Sequence, residues 1–332
     1  MSEDYKCPCR EIDPENFLSN EEILELLSKK DFNFEEQDYY KIFNCIHCNA
    51  CGTSEERFLL KEKFLKHGCK IKGLNEIISN FEKFKSPFIH NKSRVKSIQG
   101  ISPESNTLLY LGCFTSVKTP KYAENIIIYL LKENIDFCLL EEEICCGYPI
   151  LCMGKMSVYN KFVKENLQLF KSKGFKRIIT VCPSCYMVFK KHYREHGIEV
   201  NYFTDYLKPA DSKMKGNLII QHACPLKNGE IPGIVDDLED LYRKSGYNVL
   251  DEVPRECCGF GVGHQLRVDI SEAIAMKRMK DFTEEGGYLK NLQENEKNFI
   301  TSYCPDAFWV LKAYGRKQKI PFKVKDMCDL LM

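Results

Sequence analysis

The latter part of the chain carries one pattern of apolar segments and cysteines twice, and this duplication constrains the fold more than any other feature. The matching segments, first copy with second, are Thr107–Cys113 with Asn217–Cys224, Cys145–Gly147 with Cys257–Gly259, and Cys182–Pro183 with Cys304–Pro305. The offset between them is 111 residues at the first pair and 122 at the last. Self-similarity at a long, nearly fixed offset indicates repeated units. The sequence therefore predicts two copies of one domain.

Helical stretches alternate with the apolar segments in both copies. Tyr122–Lys132 and Val158–Lys171 lie in the first copy, and Ser271–Phe282 lies in the second. Strand, helix and strand at this spacing are typical of α/β layers with a largely parallel sheet. In such sheets the carboxyl ends of the strands meet at one edge, where ligands bind. We therefore predict an α/β fold in which the cysteines of each copy converge at a sheet edge.

The chain contains 18 cysteines among 332 residues. A chain of this length buries a sufficient core without disulfides, which are typical of small secreted domains. Residues Met1–Lys6 lack the apolar stretch of a secretory signal, and the longest apolar runs, such as Ile126–Leu131, are too short to span a membrane. We therefore expect a cytoplasmic protein without a membrane span, whose thiols are reduced.

Charge and glycine patterns bear on the possible partners. The 48 basic and 47 acidic residues give a net charge of +1 and are dispersed, so there is no basic stripe for nucleic acid. No G-x-G-x-x-G fingerprint follows a strand, and the glycines of Gly259–Gly263 belong to the second Cys-Cys-Gly loop. We therefore expect no flavin on this chain, and a flavoprotein or another redox subunit as its partner.

The first copy contains one set of closely patterned cysteines. They are Cys113, then after 31 residues Cys145 and Cys146, and then after 35 residues Cys182 and Cys185. Thiolates bind zinc or iron–sulfur clusters, and five are one more than a tetrahedral zinc ion or a cubane takes. Gly147 and Gly259 follow the two cysteine pairs and would let the backbone donate N–H groups to cluster sulfides. We expect an iron–sulfur cluster, with structural zinc and unligated core cysteines as alternatives.

This pattern resembles that of the CCG-domain Fe–S oxidoreductases, over about residues 41–332. The family includes the B and D subunits of heterodisulfide reductase, and the iron–sulfur subunits of glycolate, lactate and anaerobic glycerol-3-phosphate dehydrogenases. In heterodisulfide reductases such a motif holds a non-cubane [4Fe-4S] cluster, at which the disulfide of coenzymes M and B is cleaved. The resemblance implies that the five cysteines of the first copy hold such a cluster here and are the catalytic residues.

The second copy departs from the family pattern. Its cysteines are Cys224, Cys257, Cys258 and Cys304, and Ala307 stands where the last cysteine is expected. Four thiolates are enough for a [4Fe-4S] cubane, and zinc is the alternative. His222 and His264 lie near this motif, and we expect them to be surface or packing histidines rather than ligands.

An amino-terminal segment carries half of a ferredoxin motif, Cys45, Cys48 and Cys51. In two-cluster ferredoxins the fourth ligand comes from a distant motif, and the sequence around Cys69 resembles the tail of that motif. We therefore predict a one-cluster site of Cys45, Cys48, Cys51 and Cys69. A zinc site, or Cys7 or Cys9 as the fourth ligand, remains an alternative.

The remaining features are structural expectations. Asn20 is expected to cap a helix that runs to about Leu27. The stretch Leu74–Phe84 is predicted as an amphipathic helix, and His90–Asn106 as a linker. Cys138, Cys152 and Cys328 lie outside the motifs and are expected to be core cysteines.

The predicted architecture is a small helical one-cluster ferredoxin-like domain followed by two tandem α/β CCG domains. The boundaries are 1–40 for an amino-terminal helical extension, 41–100 for the ferredoxin-like [4Fe-4S] domain with its linker, 101–212 for the first CCG domain and 213–332 for the second. Two to three [4Fe-4S] clusters are expected.

The leading functional hypothesis is a heterodisulfide reductase-like subunit that passes electrons from the ferredoxin-like cluster to the first CCG site, where a small thiol or disulfide reacts. One alternative is an electron-relay subunit of a flavin-dependent 2-hydroxyacid dehydrogenase. A second alternative is a non-enzymatic component of iron–sulfur cluster assembly or maturation.

Overall fold

A computed structural model describes most of the chain. The described residues are 7–30, 36–49, 51–52, 54–210, 215–224, 226, 231–250, 257–261, 263–283 and 297–332. The segment Met1–Lys6 and the side chain of His264, to which two of the sequence expectations refer, lie outside the described residues.

Helices make up the regular structure of the amino-terminal part. They are α1 (Pro8–Ile12), α2 (Asn20–Ser28), α3 (Glu36–Phe43), α4 (Ser54–Lys66) and α5 (Leu74–Phe84). The predicted cap of α2 is wrong by one residue, because Ser19 and not Asn20 is the N-cap. The Ser19 hydroxyl accepts a hydrogen bond from the Glu22 N–H, and the Glu22 carboxylate accepts one from the Ser19 N–H. A glutamate three residues after a serine forms such a capping box, a signal that the Asn20 assignment overlooked.

The first copy is built on a three-stranded parallel sheet. Its strands, in the spatial order given, are β1 (Thr107–Tyr110), β2 (Arg177–Thr180) and β3 (Glu199–Tyr202). The accompanying helices are α6 (Cys113–Lys118), α7 (Pro120–Lys132), α8 (Tyr148–Cys152), α9 (Met156–Ser172) and α10 (Pro183–Tyr193). All four residues of β1 are buried, as expected for a strand covered by helices.

The second copy is built on a four-stranded parallel sheet. The strands are β4 (Gly216–Ile220), β5 (Tyr247–Leu250), β6 (Asn298–Thr301) and β7 (Lys323–Val324), in the spatial order β5-β4-β6-β7. The helices are α11 (Ile234–Lys244), α12 (Gly263–Leu266), α13 (Val268–Asp281), α14 (Pro305–Gln318) and α15 (Met327–Leu331). The predicted α/β fold with parallel sheets is therefore confirmed.

The two sheets share one topology. In the first copy Cys138 forms a single parallel bridge with Leu108, on the side of β1 that faces away from β2. The Leu109 N–H donates to the Cys138 carbonyl, and the Cys138 N–H donates to the Thr107 carbonyl, both at 2.9 Å. This bridge occupies the place that β5 takes beside β4. The duplication seen in the sequence is thus repeated in the strand order.

The two copies pack against each other through a common core. The Tyr122 hydroxyl donates to the Ser302 carbonyl at 3.1 Å, and the Asn125 amide donates to the Asp326 carboxylate at 2.5 Å. Apolar residues of both sheets belong to one buried cluster, including Leu109 and Leu218 at 0% exposure. Each fully buried side chain of this kind contributes about 1.5–3 kcal/mol. The copies are thereby held together by one continuous core and by hydrogen bonds between them.

Two further observations concern the cysteines and the membrane. All 18 cysteines are free thiols, and none forms a disulfide. Within the described ranges, no helix has the length and apolar character needed to cross a bilayer.

Candidate metal centre

Three of the predicted cysteine ligands lie where a strand ends and a helix begins. Cys113 is the first residue of α6, shortly after β1. Cys182 is the N-cap of α10, and Cys304 is the N-cap of α14. The N–H of Ala307, in the first turn of α14, donates to the Cys304 sulfur. Free N–H groups at a helix N-terminus stabilise negative charge on sulfur.

The five cysteines of the first copy form one continuous chain of sulfur contacts. The Cys145 and Cys113 sulfurs are 3.5 Å apart. Hydrogen bonds then link Cys145 to Cys146, Cys146 to Cys185, and Cys185 to Cys182. These thiol–thiol contacts, together with burial, raise the pKa of Cys145, Cys146 and Cys185 well above its ordinary value. Five thiols this close cannot all ionise unless a cationic group compensates their charge.

Glu143 holds the loop that delivers Cys113. Its two carboxylate oxygens accept hydrogen bonds from the N–H groups of Leu111 and Gly112, both at 2.7 Å. Burial raises the pKa of Glu143 to about 7. Gly112 has φ +84°, and a Cβ there would lie 3.2 Å from the Cys185 sulfur. The loop therefore approaches the thiols closely because residue 112 is a glycine.

We expect Glu143→Gln to lower the free energy of unfolding by about 1–3 kcal/mol, because an amide has one acceptor oxygen for two N–H groups. The pKa of Glu143 rises from 4.5 to about 7 on folding, so the wild type loses stability as the pH rises between these values. The variant should lack this dependence. Chemical denaturation at several pH values measures both effects, with exposed Glu141→Gln as the control. If Glu143→Gln and Glu141→Gln unfolded at equal denaturant midpoints, the stabilising role of the Glu143 carboxylate would be contradicted.

The second copy brings four cysteines together. The Cys257 sulfur contacts those of Cys224 and Cys258. Burial, and to a smaller extent the charges of Asp306, Cys182 and Cys258, raises the pKa of Cys304 well above its ordinary value. The Gly259 N–H donates to the Cys257 sulfur at 3.4 Å. In the first copy the Gly147 N–H donates to the Cys145 sulfur in the same way. Both glycines thus present N–H groups to the sulfur atoms of their cysteine pairs.

The amino-terminal cysteines do not all lie in one packing cluster. Cys45 and Cys48 share a buried cluster with Cys9, which is 1% exposed, and the Ile46 N–H donates to the Cys9 sulfur at 3.4 Å. The Cys7 and Cys9 thiols share a hydrogen bond that lowers the pKa of Cys7 to about 6. Cys69 packs in a different cluster, with residues such as Phe43 and Phe64.

Cys9, which the sequence offers only as an alternative fourth ligand, therefore lies beside the predicted ligands Cys45 and Cys48. The signal in the sequence that points to Cys9 is the Cys-Pro-Cys segment at the start of α1. In the structure the Cys9 side chain of this short helix is buried.

Two buried cations on α4 face the amino-terminal cysteines. Arg57 is 1% exposed and interacts with Cys45, Cys51 and Cys7. Within the described ranges, two of its guanidinium nitrogens, Nε and Nη1, have no conventional hydrogen-bond partner. Lys61 is 2% exposed and contacts the Cys152 carbonyl at 2.9 Å. Among the described residues, neither cation is paired with a carboxylate. A buried charge needs a counter-charge, so this site fits an anionic metal–thiolate group.

One cavity of about 120 Å³ joins the three cysteine motifs. Nine cysteines line it: Cys48, Cys113, Cys146, Cys182, Cys185, Cys224, Cys257, Cys258 and Cys304. The Cys48 sulfur contacts that of Cys257, and Cys182 lies close enough to Cys304 to raise its pKa. The three predicted sites are therefore neighbours around a common space, in an order that the linear sequence does not reveal.

The rest of the cavity wall is mostly apolar and aromatic. Phe88, Phe114 and Phe260 line it, and the rings of Phe114 and Phe260 lie 5.2 Å apart. Among the described lining residues Asp306 carries the carboxyl group, and burial raises its pKa to about 7. A space walled by aromatic rings and thiols suits a small apolar or sulfur-containing molecule.

The cysteine side chains fit a metal group because of their number and their chemical kind. Within the described part of the chain, no three His, Cys, Asp or Glu side chains are arranged to hold a metal ion. The thiols instead line a common space, with N–H groups directed at sulfur and two buried cations beside the amino-terminal set. Soft thiolates in this number are the donor set of iron–sulfur clusters.

Comparison with known proteins identifies the family. The sequence model of the Cysteine-rich domain (CCG) matches residues 107–190 and 218–312, one match in each sheet-containing copy. The chain belongs to the CCG domain family. The two matches contain the nine predicted cysteine ligands of the two copies, and the tandem arrangement of two α/β CCG domains is thereby confirmed.

Three relatives show what this CCG protein resembles. The EtfAB:quinone oxidoreductase of Syntrophomonas wolfei is 29% identical over 64% of this chain and 32% of its own length. The D subunit of the dihydromethanophenazine:CoB–CoM heterodisulfide reductase of Methanosarcina mazei is 20% identical over 87% of this chain and 77% of its own length. The B subunit of the CoM/CoB fumarate reductase of Methanothermobacter marburgensis is 24% identical over 56% of this chain and 39% of its own length.

The chain spans well under two thirds of the length of the quinone oxidoreductase and of the fumarate reductase polypeptide. Curated iron–sulfur proteins of Methanococcus maripaludis and Methanocaldococcus jannaschii are also similar to it, at 21% and 20% identity. By name, these relatives are iron–sulfur proteins or components of oxidoreductases, and the chain is similar to them through its CCG domains.

Proposed function

We propose that the chain is an electron-transferring subunit in which the five-thiol site of the first CCG domain carries out redox chemistry on a small thiol or disulfide. The observation that supports this most strongly is the single cavity onto which cysteines of all three motifs open. A cavity is required for a substrate, whereas a pure electron relay needs only that its clusters lie close together. Similarity to the D subunit of a heterodisulfide reductase and to the B subunit of a CoM/CoB fumarate reductase agrees with sulfur chemistry.

The residues that would hold the clusters are the predicted ones. The first set is Cys113, Cys145, Cys146, Cys182 and Cys185, the second is Cys224, Cys257, Cys258 and Cys304, and the third is Cys45, Cys48 and Cys51 with Cys69 or Cys9. Clusters bound there would supply one-electron transfer and an iron atom able to bind a substrate sulfur.

The protein's own side chains define the conditions in the cavity. The aromatic rings of Phe114 and Phe260 exclude water from its wall, which strengthens electrostatic interactions inside. Arg57 and Lys61 neutralise negative charge at the amino-terminal site and so favour its reduced form.

The order of the sites suggests a route for electrons. The Cys48–Cys257 contact joins the amino-terminal site to the second CCG domain, and the proximity of Cys304 to Cys182 joins the second domain to the first. We infer that electrons enter at the amino-terminal site and reach the five-thiol site through this sequence of neighbours.

A second candidate function is electron relay without substrate chemistry. It is favoured by the similarity to the EtfAB:quinone oxidoreductase, whose name refers to no thiol. In that case a flavoprotein partner would supply electrons, and the cavity would bind no small molecule.

Electron paramagnetic resonance during oxidation separates the two functions. We expect oxidation in the presence of coenzyme M, a small thiol, to produce a paramagnetic signal that is absent without it. The matched control is 2-hydroxyethanesulfonate, which replaces the thiol by a hydroxyl group and should give no signal. The Cys185→Ala variant should not give the signal either. Spectra that are identical with and without thiol would exclude the sulfur chemistry and leave the relay function.

A further inference from the structure

His222 lies at the entrance of the second CCG domain's cysteine set. It follows β4, precedes Cys224 by two residues, and is 1% exposed. Its side chain lines the cavity together with Cys224, Cys257 and Cys304. The histidine is therefore buried in the cavity wall, where its ring also packs against that of Tyr303 at 5.7 Å.

The two ring nitrogens of His222 have different surroundings. Nε2 lies 3.4 Å from Glu239 Oε1, and Glu239 is held in turn by Arg243 at 2.9 Å. Glu239 does not line the cavity, whereas His222 does. Among the residues that the structure describes, Nδ1 has no hydrogen-bond partner. A buried polar atom without a partner is destabilising, so Nδ1 is available to bind a ligand.

The hydrogen bond to Glu239 fixes the tautomer. A carboxylate accepts, so Nε2 carries a proton, and in the neutral imidazole Nδ1 then presents its lone pair. Hydrogen bonds from His222 and Arg243 lower the pKa of Glu239, which keeps this carboxylate ionised. A carboxylate that orients a histidine whose other nitrogen binds a metal is a frequent arrangement around metal sites.

His47 provides an internal comparison. It also lines the cavity, is 4% exposed, and has an unpartnered Nδ1. Its Nε2, however, lies 2.6 Å from the Lys61 ammonium, which can only donate. Nε2 is therefore the acceptor, the proton is on Nδ1, and His47 has no lone pair to offer. The two histidines look alike in the sequence and differ in their charged partner.

We infer that Nδ1 of His222 is the fifth ligand of the cluster in the second CCG domain, in the place of the cysteine that Ala307 replaces. This inference rests on the proposed iron–sulfur clusters. It gives both CCG domains five ligands, one set all thiolate and the other four thiolates with one imidazole. A neutral imidazole leaves the cluster less negative than a thiolate would, and in Rieske centres histidine ligation raises the reduction potential. The second cluster should therefore be easier to reduce than its all-thiolate counterpart.

The test is pulsed electron paramagnetic resonance on the reduced holoprotein labelled with ¹⁵N-histidine. We expect a strong nitrogen coupling from a directly bound histidine in the wild type, its loss in His222→Gln, and its retention in His47→Gln. His222→Cys serves as a second variant in case the glutamine variant loses its cluster. It should keep the iron content of the wild type, lose the nitrogen coupling and show a lower reduction potential for one cluster.

The outcomes separate this inference from the proposed function. The ligand assignment alone would be overturned in either of two cases. The wild type could hold clusters but show no coupling from a bound histidine, or the coupling could persist in both His222 variants. A chain that binds no iron when purified without oxygen would overturn the proposed function, and the assignment with it.

Discussion

Replacing Cys185 by alanine should remove or convert the cluster of the first CCG domain, with a loss of up to about four iron atoms per chain. Cys185 contacts both Cys146 and Cys182, so its removal interrupts the chain of five sulfurs. The amino-terminal and second-domain sites do not use this thiol and should keep their iron. Iron analysis with Mössbauer spectroscopy measures the loss, and the thiol-dependent signal should disappear in parallel.

Cys138→Ala is the matched control for this prediction. Cys138 lies in the same domain, is 6% exposed and falls outside the motifs, where its sulfur donates to the Ser105 carbonyl at 3.6 Å. Its replacement should cost stability through lost packing but no iron. Loss of iron from all sites in Cys185→Ala, with Cys138→Ala intact, would mean that the three ligand sets are not independent.

The second large effect concerns the amino-terminal site, where Cys9→Ser and Cys69→Ser should differ. We expect Cys9→Ser to lose about four iron atoms per chain, because Cys9 shares a buried cluster with Cys45 and Cys48 and accepts from the Ile46 N–H between them. Cys69→Ser should retain more iron, since Cys69 packs in a separate cluster with Phe43 and Phe64. Iron content and the spectrum of the reduced protein measure both variants.

The opposite pattern of iron loss in the two variants would support the other ligand set. If Cys69→Ser loses the iron and Cys9→Ser keeps it, the ferredoxin-like set of Cys45, Cys48, Cys51 and Cys69 predicted from the sequence is correct. Cys51→Ser should lose the cluster in either case, because Cys51 belongs to both sets and lies beside Arg57.

Local sequence patterns predicted much of the fold. The boundaries of α5 agree with the predicted stretch Leu74–Phe84, because its apolar residues repeat at helical spacing and Gly73 precedes it with φ +80°. The parallel sheets follow from apolar segments alternating with helices, as in β1 and β2. Cys113, Cys182, Cys224 and Cys304 lie just beyond strand ends because each closely follows an apolar segment. These features depend on neighbours in the sequence.

The arrangement of the sites depends on contacts between distant residues, which the sequence does not specify. Cys48 and Cys257 are more than 200 residues apart in the chain and still meet at one cavity. Similarly, the chemistry of His222 depends on Glu239, which comes from α11, and that of His47 depends on Lys61, which comes from α4. The sequence alone predicts a surface or packing histidine at position 222, because its spacing to the cysteines does not reveal which charged residue its ring contacts.

Iron, acid-labile sulfide and zinc analysis of the chain purified without oxygen tests the central claim most directly. Three four-iron sites predict about 12 iron and about 12 sulfide per chain, with no stoichiometric zinc. About 8 iron with one zinc would contradict an iron–sulfur cluster in the second CCG domain, and zinc without sulfide would contradict the account as a whole.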